Sequence, residues 1–173
     1  MTEVFLAEPL AVRLHIAIAL FALAFGPLVL YRRRRDIIHK GMGYTWVSAM
    51  GIVAASGFFI PAGIVPLVLD FGVIHILAVL LLVGLASGVA MIRSGRRDRH
   101  ERLMWMLYWW VMWITGLFTL LPGRVMNEML FAAWPPGGLV AIALGLGLII
   151  WVTLRTNSPV RRQWRRNRLQ REK

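Results

Sequence analysis

Five apolar stretches, each close to the length a helix needs to cross a bilayer, constrain this chain more than any other feature. A spanning helix takes about 20 mostly apolar residues, with roughly 17–25 as the working range. The stretches run from Val12 to Tyr31, Gly43 to Val65, Phe71 to Ile92 and Leu103 to Leu121, and from just after Pro135-Pro136-Gly137-Gly138 to about Leu154. Hydrophobic residues make up 58% of the 173 positions and charged residues 16%, with a mean hydropathy of +0.66. That balance is too apolar for a soluble domain of this length. The expected fold is all-α and integral to a membrane: one domain over residues 1–173 with five transmembrane helices. A four-helix core bundle fills residues 12–122, the fifth helix covers about 137–154, and a basic tail covers 155–173.

The placement of basic residues orients this bundle, because loops near span ends on the cytoplasmic side carry the excess of lysine and arginine. Arg32, Arg33, Arg34, Arg35 and Lys40 follow the first span, Arg93, Arg96, Arg97, Arg99 and Arg102 separate the third from the fourth, and eight more lie between Arg155 and Lys173. Of 20 basic residues only Arg13 and Arg124 fall on the other side, together with Glu3, Glu8, Asp70 and Glu128. The amino terminus is therefore expected outside and the carboxyl terminus in the cytoplasm. Glu3 and Glu8 stand where a secretory leader needs a basic start, so the first span is expected to be retained.

A net charge of +12 raises the question of nucleic acid, but the charges flank spans and follow no nucleic-acid-binding pattern. No nucleic-acid partner is expected. The tail from Arg161 onward is expected to anchor topology and to lie along an anionic inner leaflet, where each basic residue contributes about 1 kcal/mol.

The chemistry rests on four histidines. The chain has no cysteine, which excludes thiolate metal sites, iron–sulfur clusters and covalent haem attachment. In the threaded bundle His15 and His75 lie a few residues inside the outer ends of spans one and three. His39 and His100 lie just before spans two and four at the cytoplasmic boundary. Spans one and three run in one direction and are diagonal in an up-down bundle, as are two and four, and cofactor sites in bundles are built from inward side chains on facing helices. Neutral imidazole is the commonest metal ligand among side chains, so two stacked layers of paired histidines point to bis-histidine b-type haem. One or two haems are expected, with His15 and His75 on the outer iron and His39 and His100 on the inner. Arg13 and Arg124 outside, and Arg99 and Arg102 inside, would pair with the propionates, since guanidinium suits carboxylate geometry.

A porphyrin also needs a slot lined by small side chains. His15, Ala19, Ala22 and Gly26 form such a stripe on span one, and Gly43 lies one turn beyond His39, whereas Val79 and Leu82 follow His75. Small residues equally serve close helix packing, as Gly84 and Gly88 do at small-xxx-small spacing. His39 and His100, in basic loops, equally suit solvent or headgroups. Met104, one turn after His100, is an alternative iron ligand or a packing residue.

Other chemistries lack support. Ser48, Ser56, Ser87 and Thr115 have no acid–histidine partner in local sequence, no glycine-rich phosphate loop is present, and a zinc hydrolase needs three or four ligands at one level where the topology splits the histidines two and two. Trp105, Trp109, Trp110 and Trp113 wind around the fourth span, which suggests lipid contact or a larger membrane complex.

The segments His39-Lys-Gly-Met-Gly-Tyr-Thr-Trp, Phe71-Gly-Val-Ile-His75, His100-Glu-Arg-Leu-Met104 and Leu121-Pro-Gly-Arg124 resemble the recurring motifs of the domain-of-unknown-function-2306 group of bacterial membrane proteins. The resemblance covers His15 to Arg124 and implies an architecture in the bacterial cytoplasmic (inner) membrane, without a reaction. The two-plus-two histidine placement is also similar to the ascorbate-reducible b-type transmembrane cytochromes, although the spacings differ and the cytoplasmic pair is more peripheral. The expectation is a membrane electron-transfer protein, a transmembrane oxidoreductase if an enzyme. The rival is a cofactor-free accessory or assembly subunit.

Overall fold

The computed structural model describes residues 2–32, 34–60, 66–68 and 71–156. Its elements in chain order are α1 (Thr2–Ala7), α2 (Leu10–Leu30), α3 (Ile37–Gly57), a short antiparallel pair β1 (Pro66–Val68) and β2 (Phe71–Gly72), α4 (Val73–Arg93), α5 (Arg97–Met106), a π-helical segment (Leu107–Met112), α6 (Trp113–Phe118), α7 (Val125–Phe131) and α8 (Gly137–Thr156). Three of these, α2, α4 and α8, are long and apolar enough to cross a membrane. Arg155 and Thr156 at the start of the expected basic tail belong to α8, and residues 157–173 lie outside the described residues.

Helix α3 begins earlier and ends earlier than its apolar run suggests. Asp36 caps it by accepting from the His39 amide at 3.0 Å, and Arg32 Nη2 holds the same carboxylate at 2.7 Å. A side-chain oxygen in this position satisfies one of the amides a helix start leaves open. The helix therefore takes in His39, Lys40 and Gly41, ends at Gly57 and does not continue to Val65. His100 likewise lies within α5 and not ahead of a helix.

The fourth apolar run is a composite in which α5, the π segment and α6 follow without a break. The wider π turn lets Leu107, Tyr108 and Trp109, three consecutive residues, all point into the bundle, and they are 2%, 2% and 8% exposed. Trp109 is thus a core residue donating from Nε1 to the Tyr31 hydroxyl at 3.2 Å. This corrects the expectation of a tryptophan face turned outward. Trp110 alone of the four counts as exposed.

Neighbouring helices pack antiparallel. Met104 and Leu107 lie over Gly88 and Gly84 of α4, where any side chain would collide with them, so the small-xxx-small pair serves close packing. Gly95, with φ of 75°, makes the turn from α4 to α5 that an L side chain would strain. Helix α8 packs on α6, with Leu117 seated over Gly145. Asn127 of α7 is 1% exposed and donates to the carbonyls of Leu120 and Pro135 at 2.7 and 3.0 Å, tying the α6 end to the α8 start.

Candidate functional site: two histidine layers

At the end of the bundle where α2 begins and α3 finishes, His15 and His75 converge on the last turn of α3. His15 Nδ1 lies 2.8 Å from the Ser56 hydroxyl, the His15 ring also lies beside Gly57, and Phe58 meets the His75 ring at 5.9 Å between centroids. Ser56, Gly57 and the C-cap residue Phe58, three consecutive residues at the end of α3, thus lie beside the rings carried by α2 and α4. Ser56 was passed over in sequence because its partner stands 41 positions away. Its hydroxyl donates to the Val53 carbonyl at 3.1 Å, so the oxygen accepts from His15 and its proton is not directed at a base.

At the opposite end of the bundle Arg35 links the two histidine-bearing helices. Its guanidinium meets Glu101, the residue after His100, at 3.1 Å and His39 Nδ1 at 3.4 Å. His100 Nδ1 lies 2.9 Å from the Gly88 carbonyl. The pairs expected from sequence therefore share their ends of the bundle. Among the described residues no three histidine, aspartate or glutamate side chains gather where they could hold a metal ion.

Hydrogen bonds fix which ring nitrogen carries the proton, and this decides what each ring can bind. A carbonyl only accepts, so His100 carries its proton on Nδ1 and presents the Nε2 lone pair. His15, donating to Ser56, does the same. This is the pattern of a metal-ligating histidine, whose other nitrogen is held by an oxygen. His75 is the reverse: its Nδ1 accepts the Gly72 amide at 3.1 Å, which places the proton on Nε2. His39 Nδ1 faces an arginine, which only donates. Each layer thus holds one ring held through Nδ1 by an oxygen and one whose Nδ1 faces a nitrogen donor.

Nε of Arg13 and Nε of Arg124 are buried without a hydrogen-bond partner among the described residues. Burial lowers Arg124 below the usual arginine range. A buried guanidinium with its Nε unpartnered suits an anionic ligand such as a carboxylate. The inner arginines differ: Arg99 and Arg102 are exposed and line a shallow basic pocket with Gly95, Arg96, Arg97 and Asp98, and Arg102 Nε already donates to the Asp98 carbonyl at 3.2 Å.

The stripe on α2 is filled. Trp46 Nε1 donates to the Ala22 carbonyl and Tyr108 Oη to the Leu23 carbonyl, each at 2.9 Å, and the Tyr108 ring lies against Gly26. Packing, and not an open slot, accounts for Ala22 and Gly26. Gly43 faces open space. Met104, 4% exposed, is packed against Gly88.

Fold and composition together define a helical membrane protein. Over residues 12–155 the chain matches the family described as predicted membrane protein, DUF2306, and it belongs to that family. Neither a curated protein nor a solved structure matches it.

Proposed function

We propose that this is a five-span inner-membrane protein that moves electrons through b-type haem, amino terminus outside and carboxyl terminus in the cytoplasm. The observation that carries this reading is the pair of Nδ1 anchors, His15 on Ser56 and His100 on the Gly88 carbonyl. When bound, the haem supplies one-electron redox chemistry. His15 would be the fixed ligand of the outer site and His100 of the inner. His75 and His39 complete each pair by turning Nε2 inward, at the cost of the Gly72 and Arg35 contacts. Arg13 and Arg124 hold negative charge at the outer site, whereas Arg99 and Arg102 do so in reach of water.

A second reading is favoured by the aromatic filling of the α2 stripe and by His75, whose bond to the Gly72 amide caps α4 without any cofactor. It makes the chain a cofactor-free accessory subunit of a larger membrane complex. Visible spectra of the purified protein, oxidised and dithionite-reduced, decide between them. A sharp reduced α-band that His15→Ala diminishes supports haem. A colourless preparation from haem-replete cells supports the accessory subunit.

A further inference from the structure

An open groove of about 740 Å³ runs between α3 and α4. None of the four histidines lines it. Its walls are Val47 and Gly51 of α3 with Leu82, Leu85, Ala86, Val89 and Ala90 of α4, and its mouth is Arg93 and Ser94. The walls are apolar throughout, and the only charge is at one end.

We propose that this groove binds an anionic phospholipid, one acyl chain lying along Gly51, Leu82, Ala86 and Ala90 and the phosphate meeting Arg93 and Arg96. The length fits. From Leu82 to Arg93 helix α4 rises about 16 Å at 1.5 Å per residue, close to half of the roughly 30 Å hydrocarbon core, so the groove is as deep as one leaflet. The head end fits as well. Arg96 Nε donates to the Ser94 hydroxyl at 2.9 Å, which holds a second guanidinium at the mouth beside Arg93, and Arg97, Arg99 and Arg102 follow within the same turn and helix start.

This distribution argues against a second copy of the chain as the occupant. Two copies related by an axis along the membrane normal would set their arginine-lined mouths side by side, and like charges so placed repel. A phosphodiester instead complements them.

The test uses the full chain, delipidated in detergent and returned to bilayer nanodiscs of phosphatidylcholine with a minor fraction of phosphatidylglycerol, with retained lipid read by native mass spectrometry. Wild type is expected to retain phosphatidylglycerol in preference to phosphatidylcholine. Arg93→Gln, at an exposed position that leaves packing intact, is expected to weaken phosphatidylglycerol retention about fivefold, as the loss of one basic contact at a membrane surface implies. Gly51→Leu fills the groove from a position where an added Cβ meets nothing within 4 Å, and is expected to abolish retention there. Equal retention of both lipids, or wild-type retention in Arg93→Gln, overturns the proposal. So does disulfide capture of a second copy through Val89→Cys.

Discussion

The His15 imidazole and the Ser56 hydroxyl meet at 2.8 Å where the first turns of α2 lie beside the last turn of α3. With the Ser56 hydroxyl donating to the Val53 carbonyl, its oxygen accepts from the ring, which selects the tautomer protonated on Nδ1. Ser56→Ala removes that acceptor and leaves a half-buried N–H without its partner. A loss of about 1 kcal/mol is expected, restored by Ser56→Thr. Thermal melts of the two variants in one detergent check this, and an unchanged midpoint for Ser56→Ala would show the contact to be incidental.

The histidine layers differ in burial, and single alanine variants should separate them. His75 is 5% exposed and satisfies the Gly72 amide. Its removal should cost about 1–3 kcal/mol for an unsatisfied buried group. His39, with one long contact to Arg35 at the surface, should cost within about 0.5 kcal/mol. Melting the two variants side by side measures the difference, and equal losses would contradict this assignment of depth.

Asp36 ties the start of α3 to pH. The hydrogen bond from Arg32, then the one from the His39 amide, holds its carboxyl below the usual aspartate range. A folded-state pKa below the unfolded one means the cap contributes above the unfolded value and is lost as pH falls through the folded one. Amide exchange at His39 and Lys40 should accelerate as pH drops into that acidic window, after correction for intrinsic exchange. Asp36→Asn should remove this pH dependence. A profile identical in both proteins would refute it.

What was legible in the sequence was set by long apolar runs and by end positions. Helices α2, α4 and α8 appeared within a few residues of their bounds because unbroken apolar stretches leave little choice in lipid. Helix α3 was displaced because its start is set by Asp36 and not by hydropathy. The π segment was invisible, since nothing in Leu107-Tyr-Trp-Trp-Val-Met112 marks a wider turn, and the inward turn of Trp109 went with it. The sharing of an end by each histidine pair followed from threading alone. The protonated nitrogen of each ring did not, because Ser56, Gly72 and Gly88 act through contacts or backbone groups that no motif records.

Topology can be tested where the chain turns. Gly95, between α4 and α5, and Gly123, between α6 and α7, are both exposed with positive φ. The charge bias puts Gly95 in the cytoplasm and Gly123 outside. Single cysteines at these positions should react with a membrane-impermeant maleimide in intact spheroplasts at 123 and not at 95. The opposite result, or labelling of both, would undo the orientation on which the outer and inner layers depend.

The contact between Tyr108 and Gly26 separates the two functional readings most sharply. In this arrangement the ring occupies the stripe that a porphyrin would need, and its hydroxyl is spent on the Leu23 carbonyl. If the ring is a permanent part of the core, Gly26→Ala forces it aside and should cost about 1–3 kcal/mol, the usual penalty of overpacking. Tyr108→Phe, which keeps the ring and loses the hydroxyl, should then cost only about 0.5–1.5 kcal/mol. If the ring instead swings out to admit a haem, Tyr108→Ala should leave haem content intact or raise it, while Gly26→Leu should lower it by filling the slot. Melts and reduced-minus-oxidised spectra on the variants at these two positions report both quantities at once. Should Gly26→Leu leave colour unchanged while costing stability, the stripe is a packing surface and any haem lies elsewhere in the outer layer, nearer Arg13 and Arg124.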